Sequence, residues 1–159
     1  MTSASPARPP DSEDEADRFL HEDTLGFELR ITAEAIRAAM QEQLARFGIR
    51  LAHWSYLRVL WQEDGLSQIE LSARVRRVGA NTVSTLDTLE EMGLVRRERS
   101  RSDRRAVHVH LTPKAEALKS DLVACAEEVQ QRALQGFDAG REKLLRDMLA
   151  EIRANLRER

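Results

Sequence analysis

The apolar residues of this chain change period at Gly93, and that change limits the fold more than any other feature. Before it, Val83, Leu86, Leu89 and Met92 recur every three residues, the repeat of one face of a helix. After it, Val107, Val109 and Leu111 alternate with His108 and His110, the repeat of a half-buried strand. Leu94 to Arg99 is the natural hairpin partner of that strand. The polar, arginine-rich segment Ser100 to Arg105 between them is too long for a two-residue turn and suits a loop projecting outward as a wing. Gly93 itself supplies the left-handed residue that closes a helix.

Upstream, Ser67 followed three residues later by Glu70 is a capping box, in which each side chain satisfies a backbone N–H at a helix start. It predicts a short helix from about Gln68 to Val75, and two short helices across a tight turn are a helix-turn-helix pattern. Longer helices flank it. Leu25, Leu29, Ala33, Ile36, Met40, Leu44 and Phe47 form one amphipathic stripe ending at Gly48, and His53, Trp54, Leu57, Leu60 and Trp61 form a second, shorter one. Thr112 and Pro113 provide a cap and a first-turn proline for a helix carrying Leu118, Leu122, Cys125, Val129 and Ala133. Asp138 opens a last helix whose Leu144, Leu145, Met148, Leu149, Ile152 and Leu156 make a continuous apolar face. The first and last helices are therefore candidates for a dimer interface, since a wide apolar stripe must be buried somewhere.

Composition narrows the classes. With 42% hydrophobic, 33% charged and only 4% aromatic residues in 159, the chain suits a single, mostly helical globular domain. No apolar run reaches the roughly 18 residues that cross a bilayer, and a cytoplasmic location is expected. One cysteine, Cys125, cannot form a disulfide within the chain. The net charge of -2 hides a division that matters for phosphate binding. Up to Glu28, eight acids face Arg8 and Arg18, whereas nine arginines between Arg74 and Arg105 face five acids. Residues 1–17 combine Ser, Pro, Asp and Glu and are expected to form a disordered acidic tail.

The stretches LSQIELSARV and NTVSTLDTLEEMGLVRRERSRSDRRAVHVHLTPKAEAL resemble the MarR family of bacterial regulators. Leu89, Glu90, Gly93, Leu94 and Val95, then Asp103, Arg104 and Arg105, then Leu111, Thr112 and Pro113 match that family's recognition helix, wing and return strand in order. The resemblance implies a winged helix-turn-helix, mainly α with a small β-hairpin wing, flanked by long N- and C-terminal dimerisation helices. The expected division is an N-terminal dimerisation helix at 18–48, a DNA-binding region at 49–112 and C-terminal helices at 113–159 completing a homodimer interface. It implies a repressor that binds double-stranded DNA at a pseudo-palindrome and is released by a small aromatic or phenolic acid, with no cofactor and no catalysis.

Side-chain chemistry agrees with that mechanism. Asn81, Thr82, Ser84, Thr85 and Thr88 are short donors and acceptors, expected on the exposed side of the recognition helix and able to reach base edges or phosphates. As caps or solvated surface they would need no DNA. Ser67 and Gln68 open the preceding helix, whose N-terminal N–H groups suit a phosphate; Arg76 and Arg77 lie in the turn. Arg76 stands where many relatives have glycine, so either Arg76 adopts an unusual backbone or the turn shifts toward Gly79. On the wing, Arg101, Arg104 and Arg105 suit a narrow minor groove or phosphates. Asp103 would orient a neighbouring arginine, and Arg105 is the expected minor-groove contact. Asp87 is expected to face a basic neighbour rather than DNA. By the same resemblance an effector cleft lies near the start of the second helix, where Arg50, His53, Trp54, Tyr56, Arg58 and Trp61 offer cations beside indoles for a carboxylate and a ring; Trp54, Leu57 and Trp61 are equally explained as plain core.

Three other readings are open to these residues. Cys125 would serve a redox sensor, and His108 with His110 a metal sensor, although two histidines without a partner set fall short of a site. A winged helix can also serve protein association alone. The sequence has no G-x-G-x-x-G, P-loop, G-x-S-x-G or H-E-x-x-H arrangement that would favour an enzyme.

Overall fold

The computed structural model describes residues 24–75, 81–99 and 106–157; the acidic tail, the turn at 76–80 and the wing loop at 100–105 lie outside them. The elements in chain order are α1 (Leu25–Ala45), α2 (Leu51–Leu60), β1 (Leu66–Ser67), α3 (Gln68–Val75), α4 (Asn81–Glu91), β2 (Val95–Arg99), β3 (Val107–Leu111), α5 (Pro113–Ala133) and α6 (Ala139–Asn155). Two compact units divide the chain, Met1–Ala38 and Ala39–Arg159.

The described part of the first unit is the N-terminal portion of α1. Thr24 starts it: its Oγ1 accepts the N–H of Phe27 at 3.2 Å. One turn on, the Arg30 guanidinium stacks over the Phe27 ring and pairs with Glu34. Leu25, Leu29 and Ile36 of the expected stripe are exposed here.

In the second unit α1 buries Met40 and Leu44, and the core they enter is aliphatic: Ile49, Leu57, Leu60, Leu71, Leu86, Leu89, Leu94, Val95, Val109 and Leu122, with Tyr56 the one large ring fully inside among the described residues. Helix ends follow the sequence closely. At Gly93 (φ 68) the N–H of Leu94 returns to Leu89 O and that of Gly93 to Glu90 O, both at 2.9 Å. This double closure needs the left-handed residue that glycine supplies without a Cβ clash. Thr112 then does two things. Its Oγ1 accepts from Ala115 N at the start of α5 and donates to Gly93 O at 2.7 Å, which ties the end of α4 to the start of α5.

The sheet has one strand more than the hairpin expected from the sequence. Its order is β1-β3-β2, antiparallel throughout, with Val109 opposite both Leu66 and Arg97. A two-residue strand shows no periodicity, so β1 is legible only in its pairing. The phase of α4 also differs from expectation. Val83 was expected on the core face, yet it is 56% exposed, while Leu86, Leu89 and Thr85 are buried. At about 100° per residue, the stripe through positions 82, 85, 86 and 89 leaves position 83 outside. No helix among the described residues is long and apolar enough to cross a membrane.

Candidate nucleic-acid interface

α3 and α4 form the helical part of the site, and their footing is local hydrogen bonding. At the start of α3 the capping box is present: Glu70 Oε2 accepts from Ser67 N at 3.0 Å and from Ser67 Oγ at 2.6 Å, and Ser67 Oγ accepts from Glu70 N. Those bonds hold the Glu70 carboxyl below its ordinary pKa, so a carboxylate already sits at this helix end. Gln68 beside it is half-buried. The last turn of α3 carries Arg74, which is ion-paired to Glu63.

The hydroxyls expected to face outward on α4 are divided. Thr82 Oγ1 accepts from Tyr56 Oη at 2.9 Å and lies 3.0 Å from Ser72 Oγ, so this threonine joins α2, α3 and α4. Thr85 is buried, a correction to its expected exposure with the same cause as for Val83: the core stripe is set by Leu86 and Leu89. Thr88 is half-buried and donates to Ser84 O at 3.0 Å. Ser84 is exposed. Arg76, Arg77, the Asn81 side chain, Arg101, Asp103, Arg104 and Arg105 lie outside the described residues.

Sequence reasoning missed the clamp between α4 and the sheet. Arg97 on β2 donates through Nε and Nη2 to Glu90 Oε2 at 2.9 and 2.6 Å, its backbone N–H reaches Glu90 Oε1 at 3.0 Å, and Nη2 also reaches Asp87 at 2.7 Å. Asp87 thus faces a basic neighbour, as expected of it. The Arg97 hydrogen bonds hold the Glu90 carboxyl below its usual range. A signal existed: Glu90 and Arg97 straddle the helix-ending Gly93, so a chain reversal there brings their side chains together.

The sheet's opposite edge meets the loop after α2. His108 Nδ1 lies 2.8 Å from Gly65 O, Leu111 N donates to Asp64 Oδ1 at 2.8 Å, and His110 lies between Asp64 and Glu98. These contacts give the two histidines structural neighbours, and no group of three or more metal-ligating side chains occurs among the described residues.

Trp54 of α2 and Trp61 at its C-cap meet edge to face with ring centroids 6.0 Å apart. The Trp61 Nε1 is buried with no acceptor among the described residues. Arg50 and Arg58 are exposed. His53 is buried, its Nδ1 accepting the N–H of Arg50 at 3.3 Å, and burial together with the Arg50 charge lowers its pKa. Tyr56 is buried and committed to Thr82. The six expected effector residues therefore separate into an indole pair with flanking arginines and two residues serving the core. Cys125 is buried in α5, and burial pushes its thiol pKa up, which disfavours the reactive thiolate.

Comparison with known proteins agrees with this geometry. Residues 49–107 match the model of the MarR family. The chain is 38% identical to the transcriptional regulator PA3341, whose structure covers 86% of this chain and is itself covered to 100%, with a TM-score of 0.74. A MarR-family regulator from Silicibacter pomeroyi is 25% identical, with 91% of this chain and 97% of that one covered and a TM-score of 0.70. A MarR-like regulator from Bacillus cereus, 19% identical, shares the fold over 89% of this chain and 99% of its own, at a TM-score of 0.78. The chain belongs to the MarR family and is a DNA-binding transcriptional regulator with a winged helix-turn-helix fold.

Proposed function

We propose that the protein is a repressor that binds a pseudo-palindromic operator as a homodimer and leaves it when a small aromatic or phenolic acid binds. The observation that carries this reading is the clamp of Arg97 on Glu90 and Asp87, which couples α4 to the strand leading into the wing. A helix and a wing held as one body can address adjacent grooves together. Asn81 and Ser84 on α4, Ser67 and Gln68 at the start of α3, Arg76 and Arg77 in the turn, and Arg101, Arg104 and Arg105 on the wing are the proposed contacts. Thr82, Thr85 and Thr88 act by setting the helix in place.

Dimerisation is supported by α6, where Leu144, Leu145 and Met148 are exposed, as is Leu156 at the helix's C-cap. An effector is supported by the two indoles, by the Trp61 Nε1 donor, which has no acceptor among the described residues, and by the exposed Arg50 and Arg58. Together they offer a ring surface and donors for a carboxylate or phenolate. Release requires that the acid prefer a dimer in which the recognition helices are wrongly spaced, because equal affinity for both states shifts nothing.

The test is binding of the purified protein to duplex DNA from upstream of its own gene, beside a scrambled duplex, across a salt series and with Arg105→Ala as control. Selective binding that falls steeply with salt and weakens on substitution is expected, followed by release with an aromatic acid that Trp54→Ala no longer answers. Binding no better than to the scrambled duplex, with a flat salt dependence, would leave protein association as the function.

A further inference from the structure

The described side chains on the outward face of the N-terminal half of α4 include one that does not suit polar recognition. Thr82 spends its hydroxyl on Tyr56 and Ser72, Thr85 is buried, and Asp87 is engaged by Arg97. Val83, between these positions, is 56% exposed. A β-branched apolar residue left mostly in water in the first turn of a helix gains little for the fold, and its branching slightly disfavours the helix.

We propose that Val83 is a specificity-determining residue that reads the 5-methyl group of a thymine in the major groove. This rests on the reading that α4 enters that groove, where the first residues of a recognition helix meet the base edges. The major-groove edges of the four base pairs present donors, acceptors and a single apolar feature, the thymine methyl. An isopropyl group can add no hydrogen bond to that code. It can bury the methyl, and it leaves the groove acceptors and donors of a G·C pair without partners. Ser84 next to it provides a polar neighbour, so the pair Val83–Ser84 would read a thymine beside a base edge or phosphate that accepts or donates a hydrogen bond. One such contact occurs in each half-site of a two-fold operator.

The full-length protein is first used to select duplexes from a random-sequence pool, and each thymine of the selected half-site is then replaced by deoxyuridine, which removes only the methyl. At one position the change should weaken binding about fourfold per half-site, the value of one buried methyl group. Val83→Ala should bind the unsubstituted duplex more weakly and be indifferent to uracil at that position. Val83→Thr, which keeps the branched shape and one methyl, should retain the sensitivity. Uracil tolerance at every thymine with a duplex that is otherwise selected overturns the Val83 assignment and leaves the operator reading standing. So does a methyl effect that survives Val83→Ala but vanishes in Ile69→Ala, since Ile69 is the other strongly exposed apolar residue of the helix pair. Failure to select any duplex overturns both readings.

Discussion

His53 occupies the third position of α2 with its Nδ1 facing the N–H of Arg50, which requires the proton of the neutral ring on Nε2. Protonating Nδ1 would turn that acceptor into a donor, and burial and the Arg50 charge oppose it further. Because the folded pKa lies below the unfolded value of about 6.5, the unfolded chain binds more protons between the two, and stability falls as the pH drops from about 6.5 through the folded value. Above that range this residue contributes no slope. His53→Gln keeps an acceptor at the capping-box position without titrating, so its urea midpoint should fall less than that of the wild type between pH 7 and pH 5.5; equal slopes would remove His53 as the cause. Tyr56→Phe tests the neighbouring link. Losing the 2.9 Å bond to Thr82 while Ser72 remains beside that hydroxyl should cost about 1 kcal/mol in urea unfolding. That Thr82 turns inward and Val83 outward was not legible in the sequence. Both are β-branched and similar in size, and taking Val83 as a marker of the core face shifts the helix phase away from the one that Leu86 and Leu89 set.

Elements in this protein are oriented by side chains that cross between them, and these are what periodicity does not reveal. The helices, their caps and the β2–β3 hairpin were readable because each rests on residues close in sequence: Ser67 with Glu70, Thr112 with Ala115, Gly93 with Glu90. β1 was not, because Leu66 and Ser67 become a strand only by pairing with Val109 and His108, more than forty residues away. The Arg97 clamp belongs to the same class. Replacing Glu90 by Gln removes the charge but leaves one acceptor, and with Glu90 more than a third exposed the loss of stability, discounted for solvent screening, should be about 1 kcal/mol. The Glu90 pKa is depressed, so its contribution is complete above the unfolded carboxyl value of about 4.3 and disappears as the pH falls through the folded one. Chemical denaturation should therefore separate Glu90→Gln from the wild type at pH 7, and the gap should narrow as the pH is lowered below about 4.3. Gly65 is the sharper case. Its φ is 74, and a Cβ there would sit 2.9 Å from His110 Cε1, so Gly65→Ala should cost about 1 to 3 kcal/mol, read as a lowered urea midpoint.

At the scale of the whole molecule, charge is unevenly distributed along the chain. The arginine-rich middle of the chain suits DNA, and the acids before Glu28 lie outside it in the sequence. The division into 1–17, 18–48, 49–112 and 113–159 remains a proposal about roles. The exposed stripe of α6 was legible as an unsatisfied apolar face, but a single sequence does not say what covers it. A second copy is the proposed cover, and it gives the last prediction. Leu145 and Met148, 38% and 53% exposed, are one and four positions along the helix from Leu144. Burying such side chains is worth about 1.5 to 3 kcal/mol each at full exposure and less from their partly covered starting point, and a C2 interface counts every contact twice. The double substitution Leu145→Glu with Met148→Glu introduces four carboxylates into a symmetric interface while leaving the buried core of the second unit untouched. Sedimentation at micromolar concentration should therefore show a dimer for the wild type and a monomer for the variant, with unchanged helical circular dichroism. Its affinity for a two-half-site operator should fall by about a hundredfold or more, because the second half-site is then no longer bound intramolecularly, while binding to a single half-site stays the same. If the variant is monomeric and still binds the full operator as tightly as the wild type, dimerisation is not what joins the half-sites. If it remains dimeric, α6 is not part of the interface and the exposed positions of α1 become the next to substitute.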